Sequence, residues 1–145
     1  RLRQSYVIEA TSYEKDEQGN VTLIRANLIE NTLGENPEDG NNPKGGVHWV
    51  SASECKAMEL RLYERLFTTA APDKSEGDFM DHVNKDSLKV VTAYSEPALV
   101  QVAPESNFQF EREGYYVADR YDHSAEKPVF NLTIGLREDN SLTQG

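Results

Sequence analysis

The sequence predicts an all-β fold. Roughly six to eight short segments alternate apolar and polar residues with a period of two, the pattern of half-buried strands. Clusters of glycine, proline and asparagine separate these segments, and helix signals are short and few. This distribution indicates antiparallel β-barrel architecture with one or two short helical turns.

The first two segments are expected to form a hairpin. Residues 3–11 and 21–29 both alternate, and the polar, glycine-containing stretch at residues 16–20 between them is a turn signal. Residues 31–46 hold four of the nine glycines and two prolines and predict a long loop. A short strand is expected at residues 47–51, with Trp49 in the core.

The middle of the chain is harder to assign. Residues 53–67 fit a helix face and a strand about equally, and the surrounding strands favour a strand at 59–67. Residues 78–83 predict one helical turn, and residues 88–94 predict a strand. Ser95 as N-cap and Pro97 near the first helical position predict a second turn.

Residues 107–116 read N-F-Q-F-E-R-E-G-Y-Y, and their alternation predicts one central strand. Phe108 and Phe110 should face the core, which leaves Gln109 on the opposite, hydrogen-bonding face. Arg112 adds a planar fork of five donors. Such a face could bind the edge of a nucleobase, or Arg112 could simply pair with a neighbouring carboxylate such as Glu111.

A polar turn at residues 119–126 precedes a last predicted strand at residues 129–136, and residues 140–145 are expected to be a frayed tail. No apolar run approaches the roughly 20 residues of a membrane span. At 145 residues the chain has room for one domain or two small ones.

The net charge of −10 limits the kind of partner. Nucleic-acid binders are usually basic, so any RNA contact must come from a small cluster of residues. We expect no metal site, because the three histidines and the single Cys55 match no ligand spacing. No nucleophile motif or phosphate-binding glycine loop is present, so no catalytic residue is predicted.

Several blocks of the sequence resemble the C-terminal anticodon-binding region of glutaminyl-tRNA synthetases. They are RLRQSYVIEA, KGGVHWVSA, LRLYERLF, FQFEREGYY and EKPVFNLTIGLR, and they cover nearly the whole chain in order. The resemblance implies two adjacent β-barrels, the first incomplete. Residues 1–46 would belong to the first barrel, residues 47–123 would form the second, and residues 124–145 would return a strand to the first.

The same resemblance implies a binding site. Gln109 and Arg112 would contact the central anticodon uridine of tRNA(Gln), and Arg1 and Arg3 would lie at the first anticodon nucleotide. The whole protein would be a cytoplasmic, monomeric ligase that joins glutamine to its tRNA using ATP, at a catalytic domain preceding this fragment. The fragment itself would hold no cofactor, and no membrane is involved.

Two alternatives stay open. The related glutamyl-tRNA synthetases of eukaryotes share this barrel pair, and the barrels alone do not select the amino acid. A β-barrel module that binds proteins rather than RNA would suit the acidic composition.

Overall fold

The computed structural model describes residues 1–136, and the all-β prediction is confirmed for them. Three short 3₁₀ turns, Pro72–Lys74, Phe79–His82 and Pro97–Gln101, are the helical elements of this part of the chain. The strands are β1 (Val7–Lys15), β2 (Val21–Ile29), β3 (Lys56–Tyr63), β4 (Leu88–Ser95), β5 (Asn107–Phe110), β6 (Gly114–Ala118) and β7 (Val129–Gly135). The tail predicted at residues 140–145 lies outside the described residues.

The chain divides into two compact units, the first comprising Arg1–Trp49 and the second beginning at Val50. In the first unit β1 and β2 form the predicted antiparallel hairpin, although β1 starts at Val7 rather than residue 3. The Asp16 carboxylate accepts hydrogen bonds from the backbone N–H groups of Gln18 and Asn20 at 3.0 and 2.8 Å and so holds the turn.

The long loop that follows β2 is tied to the hairpin by Thr32, which is only 1% exposed. Its hydroxyl accepts from the N–H of Val7 at 2.8 Å and donates to the carbonyl of Ile29 at 2.6 Å. The strand predicted at residues 47–51 is wrong, since Val47 forms only an isolated bridge with Leu2. Trp49 is 45% exposed, so its predicted core position is also wrong.

The second unit is built on a five-stranded sheet in the order β4-β3-β7-β6-β5. Neighbouring strands are antiparallel except β3 and β7, which are parallel, whereas antiparallel pairing was expected throughout. The last described strand, β7, lies at the centre of this sheet between β3 and β6, and its Val129 and Phe130 are completely buried. The expected return of residues 124–145 to the first barrel stays a prediction.

The core of the second unit lies on one face of this sheet. Its buried members come from β3, β6 and β7 and are Met58, Leu60, Tyr116, Ala118 and Phe130. Partly buried side chains from β5, including Phe108 and Phe110, pack against them. The turn at Pro97–Gln101 contributes Val100, which is 8% exposed, and has no side-chain cap, so Ser95 does not act as its N-cap.

No helix within residues 1–136 is both long and apolar enough to cross a membrane.

Candidate nucleic-acid interface

The segment expected to be one strand at residues 107–116 is a hairpin. β5 ends at Phe110 and β6 begins at Gly114, and the N–H of Glu113 donates to the carbonyl of Phe110 at 3.0 Å across the turn. Gly114 is required here, because a Cβ at this position would lie 2.9 Å from the carbonyl oxygen of Ile134 on β7.

Arg112 lies at the tip of this turn with a φ of +66°, in the left-handed region. A side chain other than glycine is disfavoured there by roughly 1–2 kcal/mol, because its Cβ approaches the following carbonyl oxygen. Non-glycine residues held in such conformations occur often at functional sites. The backbone of Arg112 therefore independently marks this turn as a candidate functional site.

The side chains of β5 alternate as predicted. Phe108 and Phe110 point into the core, where Phe110 stacks on Tyr116 with ring centroids 4.5 Å apart and meets Phe130 edge-on at 5.4 Å. Gln109, between the two phenylalanines, is exposed on the opposite face. The prediction that Phe108 and Phe110 are packing residues and that Gln109 faces away from them is confirmed.

Within residues 1–136, neither Gln109 nor Arg112 uses its side chain for a hydrogen bond or an ion pair. Among residues 1–136, the amide of Gln109 and the guanidinium of Arg112 make no hydrogen bond or ion pair with another residue, including Glu111 and Glu113 beside them. Three residues of chain span at most about 10 Å, so both side chains leave the same end of the β5–β6 hairpin. The hypothesis that Arg112 merely neutralises a neighbouring carboxylate is wrong for the described residues.

A shallow groove runs over the sheet beside Gln109. Residues of β5, β6 and β7 line it, namely Asn107, Phe108, Gln109, Tyr115, Tyr116, Thr133 and Ile134. Tyr115 faces outward and is 43% exposed. Tyr115 was not among the site residues predicted from the sequence. The adjacency of Tyr115 and Tyr116 was the available signal, since neighbouring strand residues point to opposite faces.

Arg1, predicted to bind the anticodon, is used to order the loop after β2. Its guanidinium donates to the carbonyls of Thr32 at 2.5 Å and Ser5 at 3.4 Å, to the carbonyl of Glu35, and to the side-chain oxygen of Asn36 at 3.1 Å. An RNA contact by Arg1 would have to compete with these hydrogen bonds. Its predicted role stays a prediction.

Arg3 is exposed, and its backbone joins two parts of the first unit. Its N–H donates to the carbonyl of Val47 at 2.9 Å, and its carbonyl accepts from the indole N–H of Trp49 at 3.0 Å. Arg3 belongs to the first unit and Arg112 to the second. Their predicted participation in one anticodon surface stays a prediction.

Another arginine of the sheet is fully committed to carboxylates. The Arg61 guanidinium contacts Asp122 at 2.6 Å, Glu59 at 2.8 Å and Asp119 at 3.3 Å. The hydrogen bonds that the guanidinium donates to Asp122, and next those to Glu59, raise the pKa of Arg61. The side-chain amide of Asn131 donates to Asp119 at 2.6 Å and is the main reason that the pKa of Asp119 falls to about 2.

Further carboxylates are also paired. Glu105 contacts Arg120 at 2.8 Å in the second unit, and Glu14 contacts Arg25 at 2.6 Å in the first. These arginines are therefore occupied by carboxylates, whereas the Arg112 guanidinium forms no ion pair within residues 1–136. Residues 1–136 contain no group of three or more histidine, cysteine or acidic side chains arranged to hold a metal ion.

Together, a sheet face with an exposed amide and an exposed aromatic ring, beside a turn whose arginine makes no ion pair within residues 1–136, defines an all-β recognition module suited to single-stranded RNA. Comparison with known families agrees, because residues 46–119, about half of the chain, match the anticodon-binding domain of class I tRNA synthetases (E and Q). The chain belongs to this family of tRNA-binding domains.

The chain is also similar to parts of curated bacterial proteins, each named glutamine–tRNA ligase. It is 55% identical to that of Ectopseudomonas mendocina over 141 residues, 50% identical to that of Ralstonia nicotianae over 139, and 50% identical to that of Vibrio cholerae over 138. Each match covers 95% of this chain and 24–25% of the relative. The chain thus spans about a quarter of the length of the relatives it matches.

Proposed function

We propose that this chain is the anticodon-recognising part of a glutamine–tRNA ligase, and that Gln109 and Arg112 contact the central uridine of tRNA(Gln). The observation that carries the proposal is that both side chains are exposed at one hairpin and have no partner among residues 1–136. Exposed polar side chains are ordinarily hydrated, so the Gln109 amide and the Arg112 guanidinium can bind an external ligand without breaking a hydrogen bond within residues 1–136.

The chemistry of the two groups suits a uracil edge. That edge presents two carbonyl acceptors and one N–H donor, while the glutamine amide can donate and accept and the guanidinium can only donate. Single-stranded RNA loops expose such edges because their bases can be splayed out of the stack. Arg112 can therefore satisfy a carbonyl while Gln109 satisfies a carbonyl or the N–H.

The relatives support a proposal for the activity of the whole protein. Proteins named glutamine–tRNA ligase are about 50% identical to this chain over 95% of it. The whole protein would accordingly attach glutamine to tRNA(Gln) in the cytoplasm as a monomer, using ATP at a catalytic domain outside this chain. The contribution of the chain would be to select the tRNA, with Arg1 and Arg3 at the first anticodon nucleotide as a subsidiary expectation.

The test is kcat/KM of the full-length ligase for tRNA(Gln) and for a tRNA with the central base replaced. We expect Gln109→Ala and Arg112→Ala each to lower the preference for uridine by about ten- to a hundredfold, since a good base contact discriminates by roughly 1–3 kcal/mol in DNA. A phosphate contact would instead weaken both tRNAs alike and alter the salt dependence. Equal losses on both tRNAs would show that these residues do not read the central base.

A matched control is Arg25→Ala. Arg25 is an exposed arginine of β2 that pairs with Glu14 in the first unit. Its replacement with alanine should leave the preference for the central base unchanged. Measuring the same enzyme with glutamate and tRNA(Glu) distinguishes a glutamine ligase from a glutamate ligase. Absence of any tRNA binding by the full-length protein would favour a protein-interaction module instead.

A further inference from the structure

A row of three side chains crosses the sheet beside the turn that carries Arg112. Gln109 on β5 is the register partner of Tyr115 on β6, and Tyr115 is the partner of Ile134 on β7. Register partners point to the same face, about 4.5–5.5 Å apart. The row therefore places a hydrogen-bonding amide, an aromatic ring and an aliphatic side chain next to one another across about 10 Å.

Two of these side chains are apolar and yet remain open to solvent. Tyr115 is 43% exposed and Ile134 is 58% exposed, whereas the adjacent Tyr116 is 4% exposed and belongs to the core. The backbone of Tyr115 is held in place, because its carbonyl accepts from the Thr133 hydroxyl at 2.9 Å and the ladder has a register shift directly after it. The ring of Tyr115 is thus presented outward by a fixed strand.

The groove around this row selects one kind of ligand chemistry. None of its seven lining residues carries a charge, so it lacks the lysine or arginine that would attract a phosphate by charge. A flat, uncharged ring can pack on tyrosine while its polar edge meets an amide, and single-stranded RNA bases are bound in this way. The groove is continuous with the Gln109 side chain that the proposed function assigns to a base edge.

We propose that Tyr115, flanked by Ile134, is the surface on which the anticodon base read by Gln109 packs. The inference rests on the proposed function and adds a positioning residue to it. Tyr115 would hold the plane of the base, so that the edge of the base meets the Gln109 amide. The ligand is a nucleobase of a single-stranded RNA loop, and the ring of Tyr115 supplies stacking rather than a hydrogen bond.

The experiment measures Kd of the full-length ligase for tRNA(Gln) and for the same tRNA with an abasic central nucleotide. Stacking on an aromatic side chain contributes enough that Tyr115→Ala should weaken binding of the normal tRNA about five- to a hundredfold. Tyr115→Phe should stay within about twofold, because the ring is kept. On the abasic tRNA, Tyr115→Ala should have no further effect, since the base that it contacts is already gone.

Tyr94→Ala is the matched control. Tyr94 is 61% exposed and lies on β4, at the opposite edge of the same sheet from β5, so its loss should leave both Kd values unchanged. Tyr115→Leu keeps an apolar side chain on the strand but removes the ring, and it should lose binding as Tyr115→Ala does. This second variant keeps the test usable if the alanine variant folds poorly.

Equal weakening of both tRNAs by Tyr115→Ala and Tyr115→Leu would overturn the proposal, and so would full binding by the leucine variant. Gln109→Ala, measured in the same way, separates this inference from the proposed function. If Gln109→Ala weakens binding of the normal tRNA but not of the abasic tRNA, while the Tyr115 variants weaken both alike, only the stacking role of Tyr115 is wrong. If the Gln109 and Tyr115 variants both weaken the normal and the abasic tRNA equally, the proposed reading of the central base fails as well.

Discussion

Replacing Arg112 with glycine should make the chain more stable and the ligase less selective. Arg112 has a φ of +66° at the tip of the β5–β6 turn, where an L-residue is disfavoured by roughly 1–2 kcal/mol. Glycine removes that penalty but loses more backbone entropy on folding, by roughly 0.5–1 kcal/mol. The difference predicts that Arg112→Gly raises the free energy of unfolding by up to about 1.5 kcal/mol.

The same change removes the guanidinium from the proposed base contact. We expect the preference of the full-length ligase for the central uridine to fall about ten- to a hundredfold, as for Arg112→Ala. Arg112→Asn provides a check with a different residue, because asparagine tolerates the left-handed region better than other non-glycine residues. Arg112→Asn should keep the stability of the wild-type chain or exceed it, and it should lose selectivity.

The assays are urea unfolding of the 145-residue chain and kcat/KM of the full-length ligase with matched and mismatched tRNA. Glu105→Gly is the control, since Glu105 also has a φ of +66° and lies in the same unit. Replacing Glu105 with glycine relieves the same backbone strain and removes an exposed ion pair with Arg120 that contributes roughly 0–1 kcal/mol. This change should leave the selection of the central base unchanged.

Two results would refute this reasoning. If Arg112→Gly lowers the stability of the chain, the left-handed backbone stores no strain that glycine relieves. If Arg112→Gly raises stability and keeps full selectivity for the central base, the guanidinium does not read that base. Only the combination of higher stability with lost selectivity fits a strained residue retained for recognition.

Two further predictions concern the second unit. The pKa of Asp119 is about 2, below its ordinary 3.8, so the unfolded chain protonates this group first as pH falls. The stabilisation that ionised Asp119 contributes should be complete above about pH 4 and should be lost as pH falls through 2. The Asp119→Asn chain should lack this part of the pH dependence of the free energy of unfolding in urea. An equal dependence on pH between about 4 and 2 in both chains would contradict the prediction. Gly114→Ala should destabilise the chain by about 1–3 kcal/mol, because the new Cβ would lie 2.9 Å from the carbonyl of Ile134 and force β6 away from β7. Gly45→Ala, where a Cβ meets nothing within 4 Å, should unfold at nearly the wild-type urea concentration, and an equal effect of the two changes would argue against the clash.

Local patterns were enough to predict the class of fold and much of the candidate site. Period-two alternation identified β2 at its observed bounds and put Phe108 and Phe110 on the opposite face from Gln109, because each depends only on neighbouring residues. The glycine and aspartate turn at residues 16–20 and the single helical turn at Phe79–His82 were equally local. The family resemblance identified Gln109 and Arg112 through a motif that the chain carries in full.

Tertiary structure decided what alternation could not. The pattern at residues 107–116 continues through the turn, so the sequence did not show that Arg112 sits at a hairpin tip. That position depends on Gly114 fitting against the Ile134 carbonyl of a strand that follows much later in the chain. The place of β7 between β3 and β6, and hence the outward row of Gln109, Tyr115 and Ile134, likewise comes from long-range pairing. Partners of a strand are selected by packing between distant segments, and a periodic pattern records only which face of each strand is buried.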